Sequence, residues 1–204
     1  MLYTQILDFV GTLAFAISGI RLSSAKKFDF FGAYVVGLVT AIGGGTMRDC
    51  MLNNEIFWLH DPIYLIATAI ALVGTAVFGK FLIRQNNTWF IFDTIGLAMF
   101  TVTGIEKTLG AAGDYPFWAA VLMGTITGAA GGVLRDVCIN EVPLIFRKQI
   151  YALACVFGGI GYHLGMTFGW GHIVSGLICG GVVILTRLVA VKYKLNLPTL
   201  KGEE

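Results

Sequence analysis

Two stretches of this chain combine glycine, arginine and aspartate in a way suited to an ion. Residues 43–49 read Gly43-Gly44-Gly45-Thr46-Met47-Arg48-Asp49, and residues 130–136 read Ala130-Gly131-Gly132-Val133-Leu134-Arg135-Asp136. Each lies within a long apolar segment. Helical glycines cost about 1 kcal/mol each relative to alanine, so runs of them need a reason. One reason is close approach of a second helix. The other is a bent helix whose freed carbonyl oxygens replace part of a cation's hydration shell. A cation would then rest transiently near Gly44 and Gly131. No resident metal site is expected.

Arg48 and Arg135 follow their glycines by about one helical turn. Ionisable groups inside a membrane are expensive and face a cavity or each other. These arginines either lock helices together or line a pathway and regulate passage. Asp49 and Asp136 are expected to hold the arginines or cap nearby backbone. Asp8 and Asp93 are read as heading their helices, where a carboxylate suits the N-terminus or a pore mouth. Thr40 and Thr127, one turn before the glycines, offer hydroxyls either to an ion or to the i−4 carbonyl of their own helix.

Other chemistry has little support. His60, His163 and His172 lack metal-ligand spacing, and Cys50, Cys138, Cys155 and Cys179 form no CxxC pair. There is no Walker A, no dinucleotide fingerprint and no supported Ser-His-Asp set. The chain therefore reads as a non-enzyme without cofactors. The basic residues fit membrane topology, so no nucleic-acid partner is expected.

The elements that must position these residues are membrane helices. Of 204 residues, 56% are hydrophobic and only 13% are charged, against about 25% charged in a soluble domain. Glycine is abundant, at 27 residues, and proline scarce, at 4. The fold class is all-α and integral to the membrane, a single transmembrane domain over residues 1–204. Seven spans are expected: Leu2 to Leu22, Phe30 to Asn53, Pro62 to Ile83, Trp89 to Lys107, Tyr115 to Asn140, Leu144 to Phe168, and His172 to Val191. The N-terminal stretch lacks a basic region and a small-residue cleavage site, and is read as the first span. Trp58, Trp89, Trp118 and Trp170 fall near span ends, where amphipathic rings favour the headgroups.

Positive charge sets the orientation. The side holding the C-terminus receives twelve Lys and Arg residues, counting Arg135 and Arg187, and the other side only Arg48 and Lys107. The positive-inside rule then places the N-terminus out and the C-terminus in the cytoplasm, in a bacterial-type inner membrane.

The chain repeats itself. Residues 8–20, DFVGTLAFAISGI, match residues 93–105, DTIGLAMFTVTGI. Residues 37–53, GLVTAIGGGTMRDCMLN, match residues 124–140, GTITGAAGGVLRDVCIN. Each unit holds three helices, about 4–84 and 89–168, and a seventh helix at about 171–193 stands outside the duplication. An odd number of spans per unit inverts the second copy, and such folds place their site near the midplane where the copies meet. The seventh helix is left for scaffolding and oligomer contact. The glycines at 158, 161, 165 and 169, and at 176 and 180, read as helix-contact stripes.

The doubled motif GGGTMRD and GAAGGVLRD, within two three-helix repeats plus a seventh helix, resembles the prokaryotic branch of the trimeric intracellular cation (TRIC) channels. In bacteria the same repeat is often labelled a glycine-transporter domain. The resemblance covers approximately Ile6 to Val191. It implies a homotrimer in membrane lipid with one pore per protomer. It also implies passage of K+ and Na+ along an hourglass-shaped path between bent second and fifth helices. By position, Gly43, Gly44 and Gly45 would form one bend and Ala130, Gly131 and Gly132 the other, with Ala130 an imperfection in the symmetry. Animal members carry lipid- and Ca2+-linked regulation, of which nothing is visible here. A secondary transporter of a small solute such as glycine is the competing reading, since inverted repeats with broken helices also build carriers. A membrane scaffold explains the glycines but not the paired Arg-Asp motifs.

Overall fold

The computed structural model describes residues 2–84, 88–146 and 150–197. Among these residues it consists of seven long helices: α1 (Leu2–Ala25), α2 (Phe30–Met51), α3 (Ile63–Arg84), α4 (Thr88–Leu109), α5 (Phe117–Cys138), α6 (Ala152–Thr167) and α7 (Gly171–Lys192). Five of them, α1, α2, α4, α5 and α7, are long and apolar enough to cross a membrane on length and composition. The packing is that of a protein solvated by lipid. Large apolar side chains are exposed along α3 (Ile66, Ile70, Val73, Val77) and α7 (Leu177, Leu185, Leu188), while Thr, Ser, Asp and Arg side chains are buried.

The expected spans match these helices except at the sixth. The expected span starts at Leu144, whereas Leu144–Phe146 form a 3-10 turn, residues 147–149 lie outside the described residues, and α6 runs from Ala152. The cause is local and symmetric. Both α2 and α5 end at an Asn with positive φ, Asn53 (53°) and Asn140 (55°). The following amide in each case bonds back to the Asp of the motif, Asn54 N to Asp49 O at 2.9 Å and Glu141 N to Asp136 O at 2.8 Å. This left-handed cap satisfies the last carbonyls of the helix. The chain then folds back, and the Asp side chains take the amides of the next turn: Asp49 Oδ2 accepts from Phe57 N at 3.2 Å, and Asp136 Oδ2 from Leu144 N at 3.0 Å.

The two repeats pack about a pseudo-two-fold axis. Phe15 and its repeat mate Phe100 meet edge to face, with ring centroids 5.2 Å apart. Gly11 makes room for Phe100 and Gly96 makes room for Phe15. A Cβ on Gly19 would lie 3.0 Å from Gly37 Cα, and one on Gly104 would lie 2.8 Å from Gly124 Cα, so α1 seats on α2 as α4 seats on α5. Outside the duplication, α7 packs on α6 through Gly158 against Cys179 and Val183, and through Gly165 against Ser175. Gly176 of α7 meets Tyr3 of α1 and Val102 of α4. These stripes therefore serve contacts between helices of the same chain; Gly169 instead takes positive φ (75°) in the α6–α7 turn.

Candidate functional site: the glycine crossing and its two charge clusters

At the centre, α2 crosses α5 backbone to backbone. A Cβ on Gly44 would overlap the carbonyl oxygen of Thr127, and one on Gly131 would overlap that of Thr40. These are exchanged pairs, because Gly44 matches Gly131 and Thr40 matches Thr127 in the repeat. The anticipated helix break is not present. Both helices continue as α-helix through their glycines, and the absent side chains are used for close approach. The threonine hydroxyls are also committed. Thr40 Oγ1 donates to Val36 O and Thr127 Oγ1 to Met123 O, each at 2.6 Å.

The flanking glycines differ in use. Gly45 admits the Phe57 ring, and Gly132 admits the Tyr151 hydroxyl, each 2.5–2.6 Å from the position of an added Cβ. Gly43 lies against Leu134. Its mate Ala130 lines an apolar outer groove with Met47, Val133 and Phe146. The Ala130 mismatch therefore lies off the crossing, and the expected loss of symmetry does not reach it.

Each end of the crossing carries a charge cluster. At one end Arg48 donates through Nε and Nη2 to Asp49 Oδ1, at 2.8 and 2.7 Å, with its guanidinium carbon 5.8 Å from the centre of the Phe57 ring. Lys107 Nζ stands 5.3 Å from the centre of the same ring and donates to Asp8. At the other end Arg135 donates through Nε to Asp136 Oδ1 at 2.9 Å, and through Nη1 to Ser18 Oγ at 2.8 Å and to Asp93. Tyr151 Oη donates to Asp93 Oδ1 at 3.5 Å, and Arg187 Nη2 lies 3.8 Å from Asp93 Oδ2.

Asp8 and Asp93 do not cap helices. Each sits more than a turn inside its helix and is 6% and 0% exposed, so its partner is a side chain of another helix. Asp49 and Asp136 take both expected roles at once, holding the arginine with one oxygen and a backbone amide with the other. Arg48 and Arg135 are 2% and 0% exposed, which buried charges tolerate only when paired.

Sequence reasoning missed three partners. In the sequence Arg187 reads as a topology charge, yet it is 0% exposed beside Asp93. Tyr151 and Ser18 carry no signal of their own in the sequence. Removing Arg135 and Arg187 from one side of the charge tally, and Arg48 from the other, leaves ten against one, so the bias persists. Beside Arg135 and Asp136 a cavity runs out past Leu22 and Trp89 to Lys26 and Glu141, which pair at 2.6 Å across its mouth. The histidines form no metal cluster among the described residues; His172 Nδ1 meets Tyr162 Oη at 2.9 Å, and Tyr162 also reaches Glu106 at 3.4 Å.

The chain matches the family described as glycine transporter twice, over residues 5–80 and 90–167, one copy per repeat. It is 40% identical over 206 residues to the UPF0126 inner membrane protein YadS of Escherichia coli (strain K12), covering 97% of this chain and 96% of that protein. Among solved structures it is similar to the TRIC trimeric intracellular cation channel orthologue from Rhodobacter sphaeroides. That match has TM-score 0.89 and 30% identity, over 96% of this chain and 100% of the other. A trimeric intracellular cation channel from C. elegans shares the fold at TM-score 0.62 and 14% identity, over 93% of each chain.

Proposed function

The chain belongs to the TRIC/UPF0126 family of multi-pass membrane proteins, and on that premise we propose that it is a passive channel for monovalent cations. It is not an enzyme. K+ and Na+ pass, one pore per protomer of a lipid-embedded homotrimer, between α2 and α5. The observation that carries this reading is the reciprocal Gly44–Thr127 and Gly131–Thr40 crossing, with ionisable clusters at both ends. Two helices that touch through glycine can part with little loss of side-chain packing. Parting would expose the Thr40 and Thr127 carbonyls to an ion, and weak oxygen coordination favours rapid exit. At the crossing the two backbones are in contact. Arg48 and Arg135, one turn further along α2 and α5, stand where charge would meet an ion leaving the crossing.

The carrier reading keeps one specific support. A closed midplane crossing with a paired cluster on each side is also what alternating access requires. Proteoliposomes loaded with K+ separate the two. The channel reading expects flux that follows the electrochemical gradient without saturating and without glycine. Saturable glycine uptake coupled to an ion, with no uncoupled K+ flux, would overturn it.

We also propose that the Arg135 cluster and the C-terminus face the cytoplasm, from the surviving ten-to-one charge bias. Alkaline phosphatase fused after the last residue should be inactive, and a fluorescent protein fused there should fold and emit. Active phosphatase at that end would reverse the topology.

A further inference from the structure

The Asp93 carboxylate is buried and only half satisfied. Its Oδ1 takes Arg135 and Tyr151, but Oδ2 has no hydrogen-bond partner among the described residues. Arg187 Nη2 is 3.8 Å from Oδ2, an ion-pair separation but too long for a hydrogen bond. Arg187 is itself loosely held. Nη1 donates to the Ile150 carbonyl at 3.1 Å, while Nε and Nη2 lack hydrogen-bond partners among the described residues. Its guanidinium carbon lies 4.8 Å from the centre of the Tyr151 ring and 5.0 Å from that of Phe90. The groups around the guanidinium are thus carboxylate, carbonyl and aromatic faces. All of them favour a cation, and the oxygens suit a hard one.

Charge balance gives Arg187 a definite part. Asp93 and Asp136 are offset by Arg135 and Arg187, and Asp136 has both oxygens engaged already. Without Arg187 the cluster carries one uncompensated negative charge in a fully buried place. Such a charge must acquire a cation or a proton. Repeat one has no counterpart, because its Asp8 is held by Lys107 of α4 whereas Arg187 comes from the unduplicated α7.

We propose that Asp93 Oδ2, the Ile150 carbonyl and the Tyr151 ring form a site for one small monovalent cation, which the Arg187 guanidinium fills as a tethered cation. The identity of the ion rests on the channel reading.

The test is thermal unfolding of purified Arg187→Gln, with K+ replacing N-methylglucamine at constant ionic strength. The variant should gain about 5 °C, saturably, as K+ rises. Wild type, Arg187→Lys and the double variant Asp93→Asn/Arg187→Gln should each stay flat. An Arg187→Gln protein indifferent to K+ but stabilised by acidification overturns the proposal, because Asp93 then takes a proton. Failure of Arg187→Gln to fold at any K+ concentration overturns it as well. The readout does not depend on conduction. A K+-sensitive variant of a protein that passes no current leaves the site standing and removes the channel; a conducting wild type with a flat Arg187→Gln does the reverse.

Discussion

Arg135→Met is expected to cost about 3–5 kcal/mol, the penalty for removing one partner of a buried ion pair. Arg135 is the only residue that touches both Asp93 and Asp136 through described hydrogen bonds, and all three side chains are at most 4% exposed. Without it two buried carboxylates share Arg187 alone. The unbranched Met side chain replaces the bulk of the arginine, so the loss should be electrostatic rather than a cavity effect. Adding Asp93→Asn should therefore recover at least half of the lost stability, read as the thermal midpoint of the purified protein. A double variant no better than the single would show that Arg135 acts through packing. A control is available at the surface: the Lys26–Glu141 pair is 41% and 39% exposed, and breaking it should cost no more than about 1 kcal/mol.

Gly44→Leu should leave little folded protein, because its side chain needs far more room than an ion-wide parting of α2 and α5 gives, and Gly44→Ala should already destabilise it. The obstacle on α5 is the Thr127 carbonyl oxygen, a backbone atom that cannot rotate away. A methyl there must push the helices apart. Overpacking a well-packed contact costs about 1–3 kcal/mol, and the better helix propensity of Ala recovers only about 1 kcal/mol. Leu adds three more carbons at the same point, against a total stability of about 5–15 kcal/mol. Gly74→Ala is the matched comparison, since nothing lies within 4 Å of a Cβ added there. Size-exclusion yield and thermal midpoint should fall in the order Gly74→Ala, Gly44→Ala, Gly44→Leu. Normal assembly of Gly44→Leu would mean that α2 and α5 need not touch.

Helix positions were legible because span length and hydropathy are local properties. The duplication was legible because its matched residues are glycines and polar groups that lipid rarely tolerates without purpose. The start of α6 was not. The run from Leu144 is apolar enough to pass as helix, and what breaks it is a hydrogen bond to Asp136, eight residues earlier. The Asn53–Asn140 match was visible, but its meaning, a left-handed helix end, needed the backbone. The glycine runs allowed a bend as well as close approach, and the approach shows only once the opposing helix is in place. Arg187 is the clearest case. Near the end of an apolar span it reads as an interfacial charge, and the Asp93 that claims it is 94 residues away. Long-range pairing between helices leaves no spacing signature within either one.

The central question is whether the protein in a bilayer passes ions through an opening crossing. Single-channel recording of the purified wild type, with K+ on one side and Na+ on the other, decides it. The prediction is discrete openings with linear current–voltage behaviour near zero voltage, a reversal potential set by monovalent cations and unmoved by replacing chloride. Electrical silence in a preparation that takes up glycine saturably would contradict it.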